Sequence, residues 1–189
     1  MRRLLQLAAM AVVLTSFVPV PAQADTTDAL QRLAVSFAKL QSFHATMQSG
    51  PMNADMDYVA PDRYHLIMHS GHDIEEMIIG ETVYAKLGSQ WMKFPMPGVT
   101  QMIAHFRQPE AVAKTIDTSK ITDMGMTQLN GTPAHQYGVD SGDGSTHTVM
   151  WIGPHDLPLR IDAEELSNKR VTTILYSEFN APITIEAPI

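Results

Sequence analysis

From His44 onward the chain is written in short runs of strand length, each ended by turn residues, and this rhythm restricts the fold more than any other feature. Ser49-Gly50-Pro51, Ala60-Pro61-Asp62, Ser70-Gly71, Gly80-Glu81 and Gly88-Ser89 punctuate the stretch up to Phe94. Turns this tight join neighbouring antiparallel strands, whereas a parallel crossover needs a dozen or more residues. Within Thr82–Leu87, Val83, Ala85 and Leu87 alternate with Thr82, Tyr84 and Lys86, which predicts a strand with one buried face. The same grammar returns over 120–129, 134–139, 145–152, 157–165 and 169–179. Between the first two of these, Asn130-Gly131 is a type I′ hairpin signal, because both central positions of that turn require positive φ.

Two segments break the rhythm. Over 26–43, Leu30, Leu33, Ala34, Phe37, Leu40 and Phe43 recur at helical spacing, behind capping side chains in Asp25–Asp28. Over 98–116, Val99, Met102, Ile103 and Phe106 fall at i, i+3, i+4 and i+7. Pro109 then interrupts, and Val112 and Ile116 resume a weaker helical pattern. The spacing predicts a short helix, a kink and a second short helix. The expected architecture is α+β: one antiparallel meander of about ten or eleven strands, curled because so long a sheet does not stay flat. Its concave side receives the N-terminal helix and the mid-chain helical insert.

The front of the chain is of a different kind. Arg2 and Arg3, an apolar run over 4–20 and Ala22-Gln23-Ala24 have the pattern of a secretory signal peptide, 1–24, cleaved after Ala24. The expected working protein is then a single domain, 25–189, exported to the periplasm. Losing two arginines leaves 11 basic against 20 acidic residues, a formal charge of −9 (11 − 20). Such a chain offers no electrostatic footprint for nucleic acid. The absence of cysteine excludes disulfides, thiol catalysis, thiolate metal sites and a lipid attached through an N-terminal cysteine.

Enzymatic patterns are missing: no Gly-x-Ser-x-Gly, no His-Glu-x-x-His, no phosphate-binding glycine loop and no dinucleotide fingerprint occur, and no cofactor is implied. Glu75-Glu76 and Glu164-Glu165 lie in strands, where adjacent side chains point to opposite faces and cannot cooperate as acid and base. His69 and His72 are weak metal candidates: a tight Ser70-Gly71 turn would set them across a hairpin from one another. Lys86 and Trp91 are expected to meet across the Gly88-Ser89 turn as a cation–π pair. The 13 methionines, 11 of them beyond the leader, fit core filling, a pliable apolar pocket or copper ligation.

Several segments together resemble the LolA/LolB-type lipoprotein-carrier superfamily. They are 37–43 (Phe-Ala-Lys-Leu-Gln-Ser-Phe), 56–64 (Met-Asp-Tyr-Val-Ala-Pro-Asp-Arg-Tyr), Glu81-Thr82-Val83-Tyr84 with Trp91, Met150-Trp151-Ile152 with Leu157-Pro158-Leu159-Arg160, and Phe179-Asn180-Ala181-Pro182. The resemblance implies an open half-barrel around helices, enclosing a hydrophobic cavity for acyl chains. The residues expected to line it are Leu66, Met68, Ile78, Val83, Leu87, Trp91, Phe94, Met102, Ile103, Phe106, Met150, Leu159 and Ile161. The helix carrying Met102 and Phe106 is the expected lid or plug. The implied function is non-enzymatic carriage of a lipid or acylated lipoprotein, with a membrane-bound donor or acceptor protein as a further partner. The rival readings are a sensor of the RseB kind and a copper- or zinc-binding protein.

Overall fold

The structure is a computed structural model that describes residues 23–99, 101 and 120–189. The described residues include α1 (Gln23–Ala38) and, after it, eleven strands. These are β1 (Ser42–Ser49), β2 (Met52–Val59), β3 (Arg63–Ser70), β4 (His72–Ile79), β5 (Thr82–Leu87), β6 (Gln90–Pro95), β7 (Ile121–Leu129), β8 (Thr132–Asp140), β9 (Thr146–Ile152), β10 (Pro158–Glu165) and β11 (Arg170–Ser177). All pair antiparallel in a single sheet of order β6-β5-β4-β3-β2-β1-β11-β10-β9-β8-β7.

That order corrects the expectation of a plain meander. Two meanders, β1–β6 and β7–β11, are fused by pairing of the first strand with the last, His44 against Ser177 through Ser49 against Thr172. β6 and β7, neighbours in sequence, are the two free edges, so the sheet is not closed. The kinked helix expected over 98–116 lies outside the described residues, apart from Gly98, Val99 and Gln101.

α1 packs on one face of the sheet and so defines the inside. Ala29 and Leu30 join Ile121, Tyr137, Met150 and Ile152 in one cluster, against which Leu33, Val139 and Ile161 also pack. The second cluster gathers Leu40, Phe43, Ala45, Tyr58 and Tyr64, flanked by Phe37, Leu66, Ile78 and Tyr176. A 16-residue helix spans about 24 Å. It meets residues of β7 through β10 at one end and of β1 and β11 at the other, six strands that are consecutive in the sheet.

The helix ends at Ala38, five residues earlier than its periodicity implies. Lys39 and Leu40 donate to the carbonyls of Ser36 and Phe37, tightening the last turn into 3-10 geometry. Phe43 therefore belongs to β1, where its ring lies 5.1 Å from both Phe37 and Tyr58 and 5.8 Å from Tyr176. After β11 the chain folds back along the sheet. Asn180 N–H donates to the Ser42 carbonyl, Ser42 Oγ to the Ala181 carbonyl, and Arg63 Nη1 to the Ile185 carbonyl at 2.6 Å. Ile185 is buried by this return.

Candidate functional site

The site is the inner face of β1–β6, and the pairing register builds it rung by rung. The first rung runs Phe43, Tyr58, Tyr64, Ile78, Val83, Phe94 across all six strands. The second runs Ala45, Met56, Leu66, Glu76, Ala85, Met92, and the third Met47, Ala54, Met68, Ile74. Side chains in one rung share a face because strand periodicity is two. Apart from Glu76, these three rungs are wholly apolar.

Burial grades along the wall. Phe43, Tyr58 and Tyr64 are packed shut near the end of α1. Burial, helped by the Asp62 carboxylate, pushes the Tyr64 phenol up to about 12, and burial alone does the same for Tyr176. Towards the free edge the same face opens: Ile74 is 43% exposed, Met92 44%, Phe94 41% and Leu87 60%. Four large apolar side chains on adjacent strands thus face outward from a wall that is otherwise core.

The sequence-expected lining residues divide accordingly. Leu66, Met68, Ile78, Val83, Leu87 and Phe94 share this face, five of them within the rungs and Leu87 by the parity of β5. Met150 and Ile161 lie on the same side of the sheet but beneath α1, in the packed cluster. Leu159, at a register shift between Pro158 and Arg160, fills the space beside Gly153, where a Cβ would stand 2.7 Å from Leu159 Cδ1. Trp91 is not on the wall: it pairs with Lys86 on the other face, its ring 5.6 Å from Lys86 Nζ. That contact is the expected cation–π pair, and it removes Trp91 from the lining. Met102, Ile103 and Phe106 lie outside the described residues. Met56, Ile74 and Met92 were not among the expected lining residues, although parity with Leu66 and Ile78 marks them as wall positions.

The outer face has a different chemistry. A chain of side chains that steps diagonally between two rungs alternates base and acid over five strands: Lys86 Nζ to Glu75 Oε2 at 2.6 Å, Glu75 Oε1 to His65 Nε2 at 3.1 Å, and Asp57 Oδ1 to His44 Nδ1 at 2.7 Å, with His65 Nδ1 3.9 Å from Asp57 Oδ2. The Lys86 hydrogen bond, aided by His65, holds the Glu75 carboxyl below its ordinary range despite partial burial. His69 is clasped by Asp55 and Asp73, each at 3.0 Å, and both bonds raise its pKa.

This overturns the metal geometry. Ser70, not His69, pairs with His72, so His69 faces outward while His72 sits on the inner side. Both ring nitrogens of His69 are already bonded to carboxylates. Among the described residues no group of three potential ligands is arranged to hold an ion.

A cavity of about 280 Å³ lies at the far end of α1 between Arg32, His135, Tyr137, Gly153 and Asp156. There His135 stacks on Tyr137 at 4.5 Å and bonds Asp123 at 2.6 Å. Burial pushes the Asp123 carboxyl up, but the bonds from His135 and the Gly125 N–H outweigh it and leave the group below its ordinary value.

No protein-family model and no curated protein matches the chain. Solved structures do. Lipoprotein LppX of Mycobacterium tuberculosis superposes with a TM-score of 0.68 at 12% identity, over 87% of this chain and 100% of LppX. LprF of Mycobacterium bovis gives 0.63 at 15% identity, over 87% of this chain and 97% of LprF. MucB, solved in complex with MucA, gives 0.51 at 15% identity, over 82% of this chain and 55% of MucB. The chain therefore shares its fold, a single open antiparallel sheet packed on a helix, with these structures.

Proposed function

We propose that this protein is an exported, non-enzymatic carrier that holds the acyl chain of a lipid or an acylated protein against the inner face of β2–β6. In this reading 1–24 is a cleaved signal peptide and 25–189 a single binding domain working in the periplasm. Leu66, Met68, Ile78, Val83, Leu87 and Phe94 serve as lining, joined by Met56, Ile74 and Met92. The observation that carries it is the graded wall: an apolar face, interrupted at Glu76, whose edge residues Ile74, Leu87, Met92 and Phe94 are 41–60% exposed. Apolar surface left against water is costly, by about 25 cal/mol for each Å², and a hydrocarbon tail laid on it recovers that cost. Methionine suits such a wall because its unbranched thioether conforms to cargo of irregular shape.

Gentle purification followed by organic extraction and lipid mass spectrometry tests the reading. Stoichiometric acyl lipid is the expected result; an empty protein from several expression hosts would sink it. MucB, whose structure was solved with MucA bound, is the reason to run a pulldown alongside. Recovery of a membrane-anchored regulator without any lipid would favour the sensor reading instead.

A further inference from the structure

The described strands carry ten carboxylates, and nine of them hold a hydrogen bond or an ion pair. The exception is Glu76, which has neither among the described residues. Its chain neighbour Glu75 faces the other way and is bonded by both Lys86 and His65. Glu76 instead stands in the middle of the apolar wall, flanked in its rung by Leu66 and Ala85 and along its own strand by Ile74 and Ile78. It is only partly exposed. An acyl chain laid across this rung would strip the remaining water from a carboxylate that none of the described residues compensates, which opposes binding unless the cargo supplies a partner.

Resting on the carrier reading above, we infer that Glu76 is a specificity-determining residue that selects cargo bearing a protonated amine next to its hydrocarbon, and discriminates against anionic amphiphiles. The ammonium supplies both the opposite charge and the hydrogen-bond donors that the wall withholds. An anionic head at the same rung meets a like charge in a partly desolvated setting, where repulsion is strongest.

Titration calorimetry with dodecylammonium, dodecanol and dodecanoate, each below its micelle concentration, separates the cases. Wild-type protein should bind dodecylammonium about tenfold more tightly than dodecanoate, with dodecanol between them. Glu76→Gln should shrink that ratio to less than about twofold while keeping the affinity for dodecanol. Glu75→Gln removes the same charge from the opposite face and should leave the ratio intact, which distinguishes a local partner from the attraction of an acidic protein for any cation. A ratio that Glu76→Gln does not change, or one that both substitutions change equally, overturns the assignment. If none of the three probes binds the wild-type protein, the carrier reading itself fails; if all three bind equally, only the role of Glu76 does.

Discussion

At the scale of single residues, two side chains carry consequences out of proportion to their size. Phe43 is 2% exposed and touches aromatic rings from α1, β2 and β11, so it ties together the helix and both sides of the strand pair that fuses the two meanders. Its truncation leaves a cavity that rings fixed in three elements cannot collapse to fill. Phe43→Ala should cost about 3–5 kcal/mol, read as a lowered urea midpoint with an unchanged slope. His69 acts through charge. Its pKa is raised in the folded protein by bonds to Asp55 and Asp73, so the stabilisation is complete below the ordinary value of 6.5 and is lost as pH climbs through the raised value. The melting temperature should therefore fall as pH rises above the ordinary value of 6.5, and His69→Gln should flatten that part of the profile. A profile identical to wild type would show that this exposed imidazole contributes nothing to folding.

At the scale of elements, local pairing was legible and closure was not. Gly88-Ser89 and Asn130-Gly131 mark hairpins that form as read, since two-residue turns fix both partner and direction. Pairing of β1 with β11 joins segments more than a hundred residues apart, and no local signal reports it. Smaller errors have the same root. Phe37, Leu40 and Phe43 are spaced by three, which mimics a helix face, although Phe43 already obeys the two-residue period of β1. His69 and His72 were set opposite one another by a single-residue error in register, and such a slip exchanges the faces of every side chain downstream. Trp91 was assigned to the lining because it is large and apolar, while its cross-strand partner Lys86 had already fixed its face. The candidate wall was thus readable in composition and half-readable in parity. The C-terminal return was invisible, because 180–189 lacks any period. Its worth can be measured: Ile185 is 4% exposed and its carbonyl is gripped by Arg63. Ile185→Ala should destabilise by about 2–5 kcal/mol, and Arg63→Ala by only about 1 kcal/mol, in equilibrium denaturation.

At the scale of the molecule, stability and the proposed binding activity reside on different parts of one sheet. Residues that hold the fold together lie under α1 and around Phe43, where aromatic rings and aliphatic side chains are closed off from water. The open edge contributes little to folding, because its apolar side chains already meet solvent. That separation predicts an unusual variant. Phe94→Lys places an ammonium on the exposed rim of the wall, next to Val83 in the first rung. A surface change of this kind should shift the unfolding free energy by no more than about 0.5 kcal/mol. Yet it puts a charge where a hydrocarbon tail must lie, and at about 0.8 kcal/mol for each methylene displaced from the wall, loss of two or three methylene contacts weakens binding by roughly 15- to 60-fold. Circular dichroism melts and dodecanol calorimetry on the same sample check both halves. A variant that melts early implicates the edge in folding, and one that binds dodecanol normally moves the cargo away from β6.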